Sequence, residues 1–468
     1  MPQRTAFSLA AIVLLAGVLR LVYFTGLQTG DDIVYSRIAV DRLNGKSDVT
    51  NVQQTRSGFL LPLVVSYGLF GTGEVQLLLY NLLCSTALAG AVFAIGRAMF
   101  SDLAGLLGGL VVAVHPNLVR YATECHTDTP VALWLALAVL AVHAARLSDP
   151  GARLRVLAGL LLGWAYLHKE SPIYMVLFFA GHWWFTRRSW RWYLPIVVPV
   201  IGVFGLEMMA FADLTGNPLA RYAMIKYWHS GQYMAEKYTT TKAILHRQFA
   251  ELPVLMFTPW YGRNFTGLVN LTCLLGGVVL LWKRVAGTGM ILVWFFAFYL
   301  AYCFWPSSLR PFMPGFFLFE WTLPVFGAPL AAMFGGGASQ LRREAAAVLA
   351  TVIVVASLVT IHSGRGEGKS LSEGAREARL WIAGEKYARI VTDDKTAEAL
   401  DFFEGHRPSR LYVPFQEAST LAGSAVIVDK FWSQQGKWWS RPVPKEALDP
   451  PATWKKLHES DRIVIYRP

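Results

Sequence analysis

The amino-acid sequence predicts a polytopic α-helical membrane protein with a small extracytoplasmic α/β domain at its C-terminal end. Three observations lead there. Of 468 residues, 54% are hydrophobic and 16% charged, against about 25% charged in an ordinary soluble protein. The apolar residues gather in runs near the roughly 20 residues that cross a bilayer. Lys and Arg stand in short clusters between those runs, and beyond residue 374 the apolar pattern becomes strand-like.

About eleven spans follow from the runs at 8–25, 75–96, 103–119, 130–145, 156–167, 171–185, 192–212, 265–282, 286–306, 311–334 and 345–361. The fifth and sixth are short and are divided by His168-Lys169-Glu170. Phe59–Phe70 is apolar but too short to cross, and reads as a re-entrant or interfacial segment. The 17 Trp and 28 Phe suit aromatic belts at the two membrane surfaces. Cys84, Cys125, Cys273 and Cys303 are scattered, with neither metal spacing nor a disulfide framework.

Charge sets the orientation. With the N-terminus and Arg4 in the cytoplasm, the inner loops hold Arg97, the trio Arg146, Arg153 and Arg155, the trio Arg187, Arg188 and Arg191, then Lys283–Arg284 and Arg342–Arg343. The short outer loops hold only Arg120, Lys169 and Arg310. That asymmetry is the positive-inside pattern, and it accounts for the formal charge of +12 without a nucleic-acid partner. It places the protein in a cytoplasmic (inner) membrane and leaves 26–74, 213–264 and everything after 362 outside. Residues 1–362 form the membrane domain and 363–374 a Gly- and Ser-rich linker. Residues 375–468 form the tail domain, with strands at 388–392, 409–413, 425–428 and 462–466 and a helix at 396–404. Trp432, Trp438, Trp439 and Trp454 either pack its core or line a carbohydrate or lipid-headgroup surface.

The acidic pair Asp31–Asp32 lies just past the first apolar run. Carboxylates at a membrane edge are costly unless they serve a solvated site. Such a pair can act as general base or hold a cation. It can also cap a short helix over Ile33–Leu43. Glu124, Asp128, Lys169, Glu170 and Arg310 fall on the same outer face. Asp128 stands before Pro130 and also suits a helix start; Glu124 lies one turn from Arg120. His126 and His168 are on that face too, and with Asp31 and Asp128 could form an oxygen/nitrogen site for a divalent cation. Glu207 and Glu320 fall inside apolar runs, as either functional groups or hydrogen-bonding partners of a neighbouring helix. Arg221, Lys226, Tyr227, Trp228 and His229 give the large outer loop a basic, aromatic character.

The order of these pieces resembles the membrane glycosyltransferases of the C-type fold, especially the family 39-like enzymes that include protein O-mannosyltransferases and the lipid A aminoarabinose transferase. The resemblance rests on Asp31-Asp-Ile-Val-Tyr-Ser-Arg-Ile-Ala39 with the Leu-Asn-Gly turn at 43–45, and on Arg56-Ser-Gly-Phe-Leu-Leu-Pro62. It continues through Ile95-Gly-Arg-Ala-Met-Phe100, Val114-His-Pro-Asn-Leu-Val-Arg-Tyr-Ala122, Thr127-Asp-Thr-Pro130 and Arg310-Pro-Phe-Met-Pro314. The first loop carries Asp-Asp where such families often have Asp-Glu, and Pro311 stands at an aromatic position.

The resemblance implies a polyprenyl-phosphate-linked sugar as donor and a glycan, lipid or protein as acceptor. The reaction is then displacement at the anomeric carbon. Asp31 is the candidate base and Asp32 the second, and Asp128 orients substrate or helps Asp31 hold a cation. Arg310, Arg56 and Lys169 are candidates to neutralise the departing phosphate, although each also suits an interfacial, snorkelling role. Tyr35, Glu124 and Glu170 complete the expected substrate site. The competing reading is a lipid or glycan transporter. It calls for internal repeats and broken helices at the midplane; no repeat is visible in the sequence.

Overall fold

The computed structural model describes residues 3–28, 30–147, 151–230, 372–385, 387–406, 411–434 and 443–468, together with 246, 289–294, 297 and scattered positions within 348–362. The expected spans at 265–282, 311–334 and most of 286–306 and 345–361 lie outside the described residues, as do Arg310, Glu320, Trp438 and Trp439.

Among the described residues, eleven α-helices precede residue 231. They are α1 (Gln3–Val22), α2 (Asp31–Leu43), α3 (Ser57–Phe70), α4 (Glu74–Met99), α5 (Asp102–Val114), α6 (Pro116–Tyr121), α7 (Asp128–Leu147), α8 (Ala152–His168), α9 (Met175–Thr186), α10 (Leu194–Thr215) and α11 (Ala220–Ser230). Among the described residues, four helical stretches are long and apolar enough to cross a membrane: Thr5–Val22, Glu74–Met99, Asp128–Leu147 and Leu194–Thr215. Each matches an expected span. α3 covers the apolar segment at 59–70, and it buries Phe59, Leu60, Leu63 and Tyr67 while Leu61, Val65 and Leu69 face out.

The span expected at 103–119 is broken in two. Pro116 has no N–H to give and its ring crowds the carbonyl one turn earlier, so α5 stops and α6 starts afresh. The freed carbonyls do not go unpaired. Arg20, fully buried in α1, donates Nη1 to Ala113 O at 3.0 Å and Nη2 to Val112 O at 3.3 Å, and Nε to Ser85 Oγ at 2.6 Å. The one charged residue of the first apolar run is therefore an internal clamp that satisfies backbone groups where no water reaches. α4 and α5 meet through small residues. A Cβ at Gly96 would lie 2.8 Å from Ala104 O, and one at Gly105 would lie 2.6 Å from Phe93 O. Only glycine permits that approach.

The tail carries a five-stranded sheet in the order β2-β1-β3-β5-β4, with β1 Arg389–Thr392, β2 Leu411–Pro414, β3 Ala425–Asp429, β4 Lys455–Glu459 and β5 Ile463–Arg467. β1 runs parallel to β2 and β3, and β5 antiparallel to β3 and β4. Four strands match the expected ones. β4 was not expected, because Lys-Lys-Leu-His-Glu is an exposed edge with no apolar alternation. A helix over 372–382 begins inside the segment expected to be linker.

Side chains alternate across the sheet. Val391, Val413, Val426 and Val428 form a small core with Phe415 and Ala447, and Trp454 packs against it. Trp432 is also buried, so these two tryptophans pack the interior and do not form a binding surface. Ile390, Ala425, Ile427, Ile463 and Ile465 face the other way, into one continuous core with α2, α3 and the start of α4. The tail is thus fused to the segment that carries the acidic pair.

Candidate active site

α2 opens with the two aspartates. Gly30, at φ 66°, occupies the cap position, and Asp31 and Asp32 are the first two helical residues with no capping hydrogen bond of their own. The capping expectation is corrected accordingly: the pair sits in the first turn, where it complements the helix dipole. Successive helical residues point about 100° apart, so the two carboxylates have different surroundings.

Asp32 is buried and both its oxygens are taken. Oδ2 accepts Gln28 N–H at 2.8 Å, and Oδ1 accepts Cys125 N–H at 2.7 Å. Burial pushes its carboxyl up to about 7, against the pull of the two N–H groups, with Glu124 adding to the rise and His126 opposing it. Asp32 ties the first loop to the 124–126 turn. Asp31 is half-buried and accepts one hydrogen bond, from Gln53 Nε2 at 3.3 Å. Its charge acts on Tyr35, Arg56 and His126.

Tyr35 is fully buried against Phe59, with ring centroids 4.8 Å apart. Arg56 Nη1 donates to its hydroxyl at 2.6 Å. Burial works against the Arg56 charge, yet Tyr35, Glu170 and Asp31 together hold the guanidinium above its ordinary value. Burial likewise opposes ionisation of Glu170, and Arg56, Arg221 and Lys169 outweigh it and keep the carboxyl below the usual range. Among the described residues, Arg56 Nε and Glu170 Oε2 are buried without a hydrogen-bond partner, so the two groups keep unspent capacity toward a ligand.

Lys169 Nζ pairs with Asp128 Oδ1, joining the end of α8 to the start of α7. Glu124 takes Arg120 Nε and His126 Nε2, each at 2.9 Å. Burial opposes both charges of that second pair, but their mutual contact raises His126 and lowers Glu124. Asn81 Nδ2 braces the turn by donating to Glu124 O and to His126 O.

The structure thus brings Asp31, Tyr35, Arg56 and Glu170 into one electrostatic group, with Asp32, Glu124, Asp128 and Lys169 around it. Gln53 belongs to the group, and no sequence signal marked it. His168 stands apart: Nε2 meets Tyr80 OH at 2.7 Å and Nδ1 meets Trp164 O at 2.7 Å. Among the described residues, no three His, Cys, Asp or Glu side chains converge to hold a metal ion. Asp31 accepts from Gln53, and Asp128 pairs with Lys169. Glu207 pairs with Arg221 Nη1 at 2.6 Å, and Nη2 donates to Tyr166 O at 2.8 Å, which makes the intramembrane carboxylate a helix-to-helix tie beside Glu170.

The tail holds the approach to this site. Glu74 Oε1 accepts Leu27 N–H at 2.7 Å and Arg376 Nη2 at 2.5 Å. Ser372 Oγ donates to Leu27 O. On the far side of α2, Arg37 meets Asp401 at 2.8 Å, His406 meets Asp401 at 2.8 Å, and His406 also meets Ser36 Oγ at 2.9 Å. A surface cleft of about 440 Å³ opens there, lined by Arg37, Asp41, Asn44, Lys46, Asp401 and His406. None of the expected site residues lines it.

Residues 59–210 match the family described as dolichyl-phosphate-mannose-protein mannosyltransferase. Among solved structures, ArnT from Cupriavidus metallidurans bound to undecaprenyl phosphate superposes with a TM-score of 0.61 at 15% identity, covering 98% of this chain and 97% of that one. The archaeal oligosaccharyltransferase AglB from Archaeoglobus fulgidus, in complex with an inhibitory peptide and a dolichol-phosphate, gives 0.59 at 11% identity, covering 91% and 69%. No curated protein sequence matches the chain. The chain is a membrane protein that shares the C-type glycosyltransferase fold of ArnT and AglB, and its residues 59–210 are similar to the mannosyltransferase family.

Proposed function

We propose that this protein transfers a sugar from a polyprenyl-phosphate donor to an acceptor hydroxyl at the outer face of the cytoplasmic membrane, with Asp31 as general base. The observation that carries the assignment is the division of labour within the pair. Asp32 has both oxygens committed to backbone N–H groups, whereas Asp31 has only Oδ1 engaged among the described residues, by Gln53, and its charge acts on Tyr35 and Arg56. An alcohol has a high pKa and needs a carboxylate to take its proton as it attacks. In the step, the acceptor O–H proton passes to Asp31, the oxygen bonds to the anomeric carbon, and the bond from that carbon to the phosphate oxygen breaks. The phosphate leaves with its lipid as an anion. A direct displacement inverts the anomeric configuration.

Arg56 stands in the same group with an open Nε, and suits the leaving phosphate as Arg310 does by sequence. Lys169 is held by Asp128, so these two position the loop between α8 and α9 and the start of α7. Residues 1–362 would supply the membrane portion, with loops 26–74 and 213–264 outside, and 375–468 the extracytoplasmic domain. The donor class draws support from the undecaprenyl phosphate and dolichol-phosphate bound by the two similar structures. The acceptor is a glycan, a lipid or a protein.

The test incubates purified protein with radiolabelled polyprenyl-phosphate sugars and extracted envelope acceptors, comparing wild type with Asp31→Asn. Transfer by wild type and its loss in the variant is the expected result. Equal rates would remove Asp31 from the role of base. Absence of transfer with every donor, alongside lipid flipping in liposomes, would replace the enzyme reading by a transporter.

A further inference from the structure

The end of the bundle away from the acidic pair carries a different assembly. α7 starts at Asp128 and runs 20 residues, so its last turn lies about 30 Å from the site. There Arg146, Arg153, Arg155, Arg187, Arg188 and Arg191 gather around the α7–α8 and α9–α10 connections. By sequence the only carboxylate in those two connections is Asp149, and none of the six arginines has an acidic partner among the described residues.

Three of them lie over indoles. The Arg187 guanidinium is 4.5 Å from the Trp184 ring centre, Arg155 is 5.3 Å from Trp192, and Arg191 is 5.7 Å from Trp190. Trp184 and Trp190 are 59% and 64% exposed. Underneath, the platform is rigid: His182 stacks on Trp192 with centroids 5.6 Å apart and shares a 2.7 Å hydrogen bond with Tyr193 OH. Arg155 Nη1 also donates to Trp192 O at 2.9 Å. The chain turns sharply at Arg187, whose φ of 53° is unusual for a side-chain-bearing residue, and this brings Arg187 and Arg188 beside the Trp190–Trp192 turn.

Exposed indoles next to apolar spans settle at headgroup depth. A guanidinium lying on an indole keeps its edge N–H groups free, and they match a phosphate in planar, bidentate fashion. We propose that the α9–α10 turn is a binding site for the phosphate of an anionic phospholipid, held by Arg187, Arg188 and Arg191 on the platform of Trp184, Trp190 and Trp192. The site is independent of the transfer reaction proposed above.

The experiment uses the full chain in mild detergent, with equimolar phosphatidylglycerol and phosphatidylcholine added, and counts retained lipids by native mass spectrometry. Wild type is expected to retain phosphatidylglycerol preferentially. Arg187→Gln/Arg188→Gln/Arg191→Gln should lower that preference about tenfold or more, since each basic residue near a headgroup contributes strongly. Trp184→Leu/Trp190→Leu should lower it less. Lys46→Gln, at the other end, should leave it unchanged. Equal retention of both lipids by wild type, or full preference in a well-folded triple variant, overturns the proposal. Millimolar inorganic phosphate should not displace the lipid; if it does, the site serves free phosphate and the lipid assignment fails. Should the triple variant not fold, Arg187→Gln alone and a salt titration of wild type decide the matter, because a headgroup ion contact must weaken with salt. Salt-insensitive retention overturns it.

Discussion

At the end where α7 begins and α8 finishes, Asp128 takes Lys169, Glu124 takes Arg120 and His126, and Arg56 shares its neighbourhood with Tyr35, Glu170 and Asp31. Around the α7–α8 and α9–α10 connections at the other end stand six arginines, three of them over indoles, with no carboxylate bonded to them among the described residues. The first assembly is mostly buried and cross-linked by ion pairs; the second is mostly exposed and has no carboxylate partner among the described residues. Both arise from charged residues that terminate apolar runs, so the presence of charge at a helix end does not decide its fate. What decides is whether an opposite charge is brought within reach and whether water is removed. Charges that are paired and dehydrated couple to folding and chemistry. Charges left open on an indole remain available to something outside the protein.

That contrast can be broken in a definite order. The largest effect is expected at Asp31→Asn, which should lower sugar transfer by about 10²- to 10⁴-fold, the span typical of general-base loss, while the unfolding temperature stays near wild type; transfer assays with radiolabelled donor measure it. Arg221→Ala should come next. It strands Glu207 as a buried unpaired charge, at a cost of about 3–5 kcal/mol, whereas Arg221→Met with Glu207→Leu should cost far less. Denaturant titration of the two variants separates these outcomes.

Asp32→Ala orphans the N–H groups of Gln28 and Cys125, and about 2–6 kcal/mol of destabilisation is expected at about 1–3 kcal/mol per buried group. A smaller, pH-dependent effect belongs to His126. Its folded value is raised above the ordinary 6.5, so its contribution is full below that value and is lost as pH rises through the folded one. Glu124 is lowered below 4.5, so its contribution is present above the ordinary value and is lost in acid. The unfolding temperature should therefore drop between about pH 6 and about pH 9 by more in wild type than in His126→Gln. Least affected should be the stability of the Arg187, Arg188 and Arg191 glutamine variant, which is expected within about 0.5 kcal/mol of wild type. A loss of several kcal/mol there would erase the distinction between the two ends.

Much of the frame could be read from the chain, because burial in lipid forces long apolar runs to be helices. α1, α4, α7 and α10 fall where hydropathy put them, and the strands of β1 and β3 follow from their branched aliphatic residues. The gathering of Asp31, Glu124, Asp128, Lys169 and Glu170 at one end also followed from span order. What escaped was partnership. Nothing in Asp-Asp says which carboxylate meets the N–H of Cys125, 93 positions away, since that depends on the register between two loops. Hydropathy passes over Pro116 because proline is not charged, so the α5–α6 break was unseen, and with it the role of Arg20 at the freed carbonyls. Gln53 escaped because its role is set by a single contact. The face of the tail sheet that packs on α2 was invisible for the same reason: alternation reveals two apolar faces but not what covers each.

Glu74 has one further consequence, in the order of biosynthesis. Its carboxylate holds Leu27 N–H from the start of the chain and Arg376 from a point 302 residues later. The residues leading into the acidic pair are inserted among the first, yet one side of their grip arrives only when the tail has been made and folded. Contacts of such separation form late. The loop bearing Asp31 is therefore completed after the membrane helices around it, so the site becomes whole only in a chain whose far end has already folded against it.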